Sequence, residues 1–118
     1  MTCYNGEMLK SVGAQAADFL ARCNDVARRS VIVDVSHLCQ LLVDEGYPTP
    51  CLYHTEDGVR AEWDTAGQSF DVSMDSGDGE VYAHWLSLMN DDCDDLLVTH
   101  EQRLDVLPFL RGVLIKVR

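Results

Sequence analysis

Between Gly58 and Trp85 the chain alternates with a period of two. Val59, Ala61 and Trp63 are separated by Arg60 and Glu62; Phe70, Val72 and Met74 by Asp71 and Ser73; Val81, Ala83 and Trp85 by Tyr82 and His84. That is the period of a β-strand, whose successive side chains point to opposite faces. Turn residues punctuate the three runs: Asp57-Gly58 before the first, "DTAG" between the first and second, "DSGDG" before the third. Gly and Asp tolerate the positive φ angles that tight hairpins need, so the runs connect as an antiparallel meander, and "CLYHT" joins through the Asp57-Gly58 hairpin. One face is apolar and must be covered, which excludes an all-α fold.

The flanks supply the cover. Residues 7 to 28 place Met8, Leu9, Val12, Ala16, Phe19, Leu20, Cys23 and Val26 at steps of three and four, and predict a first helix. A second is predicted from about 35 to 45, where Leu38, Leu41 and Leu42 share a face and Gly46 stands past the end. The preceding Val31 to Val33 suit either a short strand or the start of that helix. Pro48 and Pro50 in "YPTP" make a rigid connector. "THEQ" at 99 to 102 matches a capping box and predicts a helix from near His100, which Pro108 kinks or ends. The expected architecture is a single domain over residues 1–118, of α+β class: an antiparallel three- to four-stranded meander with N-terminal helices and a C-terminal helix packed on one face.

Charge narrows the partners. Twenty acidic residues face nine basic ones, and from Ala61 to Gln102 there is neither Lys nor Arg, while eleven Asp or Glu fall in that span. A net charge of -11 repels phosphate backbones and anionic lipid, so no direct nucleic-acid contact and no membrane partner is expected; a charged partner is expected to be basic. The densest run, "NDDCDD" at 90 to 95, is expected to form an exposed loop because its carboxylates repel one another. No apolar run of membrane-spanning length and no signal peptide is seen, so a cytoplasmic location is expected. The five cysteines are odd in number and widely spaced, which predicts reduced thiols and no disulfide.

Catalytic and metal patterns are weak. His37-x-Cys39 would point to different helix faces, no Cys-x-x-Cys is present, and neither a metal nor a cofactor is expected. Cys51 and His54 stand three apart, and on a strand that puts them on opposite sides. "DSGDGE" lacks the spacing of a calcium loop and reads as a turn. No catalytic residue is assigned.

The stretch from Tyr47 to Trp85 resembles a loose group of small bacterial proteins with a helix, a Pro-x-Pro connector, a Thr-x-Asp-Gly-Gly-Val-x-Leu-Glu-Trp strand and a β-meander. Pro48, Pro50, Thr55, Asp57, Gly58, Val59, Glu62 and Trp63 carry it, and it extends weakly over residues 47–113; the second glycine is absent and Ala61 replaces the leucine. The resemblance implies a bacterial or mobile-element origin and transfers no catalytic residue.

The first functional expectation is a non-catalytic acidic binding protein, antitoxin-, immunity- or inhibitor-like, that engages a basic and nucleic-acid-handling protein. Its contact residues are expected to be Asp91, Asp92, Asp94, Asp95, Glu62, Asp71 and Asp75. The alternative is a small-molecule binder or small enzyme with a pocket between helix and sheet near Trp63, Tyr82, His84 and Trp85. Tyr82, His84 and Leu86 give the third strand a second bulky face, which predicts a homodimer.

Overall fold

The computed structural model describes residues 10–56, 58–65, 68–75, 79–87, 89 and 92–113. Helix α1 spans Val12–Ala21 and opens on Ser11, whose hydroxyl accepts from the Ala14 amide at 3.1 Å. Helix α2 spans Val26–Asp44. The single helix expected over 7–28 is thus broken near Cys23. Asp25 breaks it: its carboxylate accepts from the amides of Ala27 and Arg28 at 2.9 and 3.3 Å, so it starts a new helix instead of continuing the old one. Arg29 then donates to the Cys23 carbonyl at 2.9 Å and to that of Leu20, closing the end of α1.

The question left open at Val31 to Val33 is settled in favour of helix. Val31, Ile32, Val35, Leu38, Cys39 and Leu42 are all buried, the recurrence of one wide helical face. Its end is set by Gly46 at φ 103°, a conformation that glycine adopts without a Cβ clash. Gly46 and Tyr47 amides bond back to the Val43 and Leu42 carbonyls at 3.0 and 3.1 Å, the paired bonds of a Schellman end.

Five antiparallel strands follow in sequential order: β1 Cys51–His54, β2 Gly58–Thr65, β3 Gln68–Asp75, β4 Glu80–Ser87 and β5 Cys93–Thr99. The meander is one strand longer than the upper expectation of four. The register pairs Ala61 with Val72 and Val72 with Ala83, so the alternating apolar residues line up on one face. Val59, Ala61, Phe70, Met74, Val81 and Ala83 are fully buried there against the helices. This covered face and the opposite, open face are the two environments in which the side chains of the described strands sit.

After β5 the chain makes a 3-10 turn over His100–Asp105 and then helix α3, Val106–Val113. The expected capping box is only partly built. Thr99 makes no side-chain bond to backbone, and its hydroxyl meets Gln102 Oε1 at 3.3 Å instead. Pro108 does not end the helix; it occupies the first turn of α3, where amides have no intrahelical acceptor to lose. Arg111 ties α3 to the end of α2 through two bonds to Glu45, at 2.9 and 2.7 Å. Among the described residues no helix is long and apolar enough to cross a membrane.

Candidate protein-binding face

Antiparallel register fixes the pattern of the open face. One row crosses the sheet as Glu62, Asp71, His84 and Asp95, each directly opposite the next on β2, β3, β4 and β5. The neighbouring row runs Tyr53, Arg60, Ser73, Tyr82 and Leu97. Side chains opposite one another stand about 5 Å apart, close enough for each to sense its neighbour's charge.

The rows are linked by bonds. His84 Nδ1 lies 3.6 Å from Asp71 Oδ2, and the Tyr82 hydroxyl donates to Asp95 Oδ2 at 3.0 Å. Arg60 Nη2 lies 3.3 Å from Glu62 Oε2, and the Arg60 guanidinium sits 5.7 Å from the centre of the Tyr53 ring. The Tyr82 and His84 rings stack with centres 6.1 Å apart and planes 13° from parallel.

Acid predominates over base on this face, and two of its carboxyls are half-buried. Asp71 is held above the usual carboxylate range by its burial, which outweighs the pull of His84 and Arg60. Glu62 is also raised, first by burial, then by the charge of Asp64 and a hydrogen bond with it. In both, burial is the first cause, and the positive groups beside them do not offset it. Residues 51–99 carry twelve Asp or Glu against one Arg, whereas the rest of the chain carries eight of each sign, so the whole net charge of -11 belongs to the sheet segment.

The expected contact residues divide among several places. Glu62, Asp71 and Asp95 meet on the open face. Asp94 lies opposite Trp85, a register position on the covered face, although it is exposed at the sheet edge. Asp92 precedes β5 and its carbonyl accepts from the Ser87 amide at 2.8 Å. Asp91 lies outside the described residues, and of Asp75 only the backbone, opposite Gly58, is described. The expected loop at 90 to 95 is corrected in part: Cys93, Asp94 and Asp95 are exposed as expected, but they belong to edge strand β5.

The four residues of the expected pocket do not share a side. Trp63 is buried on the covered face with its indole N–H on the Pro48 carbonyl at 2.7 Å, and Trp85 packs on the same face. Tyr82 and His84 are on the open face, so the sheet itself separates the two pairs. Tyr53 and Arg60 were not among the expected site residues. Their alternation with Leu52 and Ala61 was the available signal, but the pairing that seats a guanidinium by a ring needs the register.

Other candidate chemistry is dispersed. His54 faces the core side, 4.1 Å from the Phe19 ring, and burial followed by the charge of Arg28 lowers its pKa. Cys39 is buried and its thiol pKa is pushed far up by desolvation, while His37 is exposed. The expectation of no disulfide is corrected: Cys51 is disulfide-bonded, and Cys23, Cys39 and Cys93 are free thiols. Wide spacing argues against a framework of several bridges, but one bridge needs only two cysteines brought together by the fold. Among the described residues no three His, Cys, Asp or Glu side chains converge as a metal ion requires.

No family model, curated protein or solved structure matches this chain.

Proposed function

We propose that this chain is a non-catalytic binding protein that engages a basic protein through the open face of its sheet, in the manner of an antitoxin, immunity protein or inhibitor. The observation that carries the reading is the concentration of the entire net charge of -11 in residues 51–99, together with two half-buried open-face carboxyls, Glu62 and Asp71, whose charged form burial disfavours. A partner that supplies positive charge there relieves a cost the free protein bears. A one-sign field also steers encounter, and raises association rates by about ten- to a thousandfold at low salt.

Basic proteins that handle nucleic acid fit this chemistry, because an acidic face competes for the side chains that would otherwise hold phosphate. The weak resemblance over residues 47–113 supports a bacterial or mobile-element setting.

The test is affinity capture from the source organism at low salt, with the parent chain and with a Glu62→Gln, Asp71→Asn, Asp95→Asn variant run side by side. The reading expects one basic protein that the parent retains, the variant loses, and moderate salt releases. An acidic or neutral captured protein, or equal retention by the variant, would end it.

A further inference from the structure

The open face already holds one guanidinium, and the way it does so indicates what a partner must present. Arg60 is the lone basic residue between positions 51 and 99. It places its guanidinium 5.7 Å from the centre of the Tyr53 ring while reaching Glu62 at 3.3 Å. A planar guanidinium can lie on an aromatic face and still offer in-plane N–H groups to a carboxylate; a compact ammonium cannot do both in the same way.

Two strands away the same parts recur. Tyr82 stands in the row of Tyr53 and Arg60, and its ring is stacked with that of His84. Asp71 and Asp95 lie on either side of His84 in the adjoining row, and Asp95 accepts the Tyr82 hydroxyl. Here His84 holds the place that Arg60 holds beside Tyr53, stacked with the Tyr82 ring and 3.6 Å from Asp71, and the chain provides neither Lys nor Arg anywhere in β3, β4 or β5.

Resting on the basic-partner reading above, we infer that the partner supplies an arginine here. Its guanidinium takes the place of the His84 ring against Tyr82 and its N–H groups meet Asp71 and Asp95, so the face selects arginine over lysine at equal charge. Two other occupants would behave differently. A strand added to the edge of β5 would read backbone groups and be indifferent to that choice. A second copy of this chain would bring one acidic row against another.

The experiment titrates the isotope-labelled full chain with hexa-arginine and with hexa-lysine at low salt, following backbone amides by NMR. The expected result is arginine binding about two- to fivefold tighter than lysine, because both cations are drawn to the ring but only the planar guanidinium can stack on it and reach the carboxylates together. The shifts should centre on Tyr82, His84 and Asp95. Tyr82→Leu should abolish the preference and Tyr82→Phe should restore it, with amide dispersion confirming that both variants fold. Equal affinities for the two peptides, a preference that survives Tyr82→Leu, or shifts confined to the outer edge of β5 would overturn the inference while leaving the basic-partner reading standing. If neither peptide bound, the basic-partner reading itself would fall, and this inference with it.

Discussion

Gln15 shows how much one polar side chain can hold. It is buried, its amide nitrogen donates to the Lys10 and Pro50 carbonyls at 2.8 and 2.9 Å, and its oxygen accepts from the Leu52 amide at 2.7 Å. It therefore joins α1 to the start of β1. Gln15→Leu keeps the bulk but strands three backbone groups, and should cost about 2–4 kcal/mol, read as a lower urea midpoint at unchanged slope. The helical pattern of residues 12, 16 and 19 was legible in the sequence; that position 15 turns inward was not, because a glutamine there looks like surface until its three partners are known. Asp71 makes the opposite case. Its folded-state pKa is raised by burial, so the native chain holds that proton more tightly than the unfolded one does. Stability then falls as pH rises through the interval between the unfolded and the folded value, and the cost is complete above it. Asp71→Asn should accordingly raise the urea midpoint at neutral pH, with the gain fading as pH drops below that interval. A variant less stable than the parent at neutral pH would mean that the contact with His84 outweighs burial.

At the scale of elements, β5 separates what alternation reveals from what charge conceals. Four carboxylates within 91–95 argue for a loop, and the expectation followed the charge. The strand forms because Leu96 and Val98 pack on the core opposite Ala83 and Val81, while Asp92, Asp94 and Asp95 remain exposed to water at the edge. No charge has to be buried for pairing to occur. Charged edges also discourage further strand addition. Strands β2 to β4 were legible because the residues of their covered face recur at every second position between turn residues; the break between α1 and α2 was not, since Cys23 and Val26 continue the helical spacing across it. Replacing Asp91, Asp92, Asp94 and Asp95 by Asn should leave stability within about 0.5 kcal/mol of the parent, because exposed substitutions seldom do more. Association with a basic partner should become slower and less dependent on salt. Stopped-flow association at two salt concentrations, alongside a melting curve, checks both halves, and an on-rate equal to the parent's would make this run ordinary solvated surface.

The molecule as a whole is divided by charge. Residues 51–99 hold the net -11 and the remainder is balanced, and Glu62, Asp71 and Asp95 bring part of that charge together on the open face. Half-buried His84 and Leu86 and exposed Tyr82 on that face underlie the proposed homodimer, and the same face underlies the proposed basic partner. Salt separates the two. Two copies that meet through this face bring Glu62, Asp71 and Asp95 of one toward those of the other, and that repulsion weakens as the screening length falls from about 30 Å at 0.01 M to about 3 Å at 1 M. A basic partner gains attraction from the same field and loses it under the same screening. Sedimentation velocity of the chain alone should therefore show a 13.2 kDa particle at low salt, with dimer growing as salt is added, while the complex with the basic partner dissociates over that range. A dimer that is strongest at low salt would require charges paired across the two copies, with Arg60 of each reaching a carboxylate of the other. Such self-complementarity would satisfy the half-buried acids without any partner, and the physical reason for seeking a basic one would be gone.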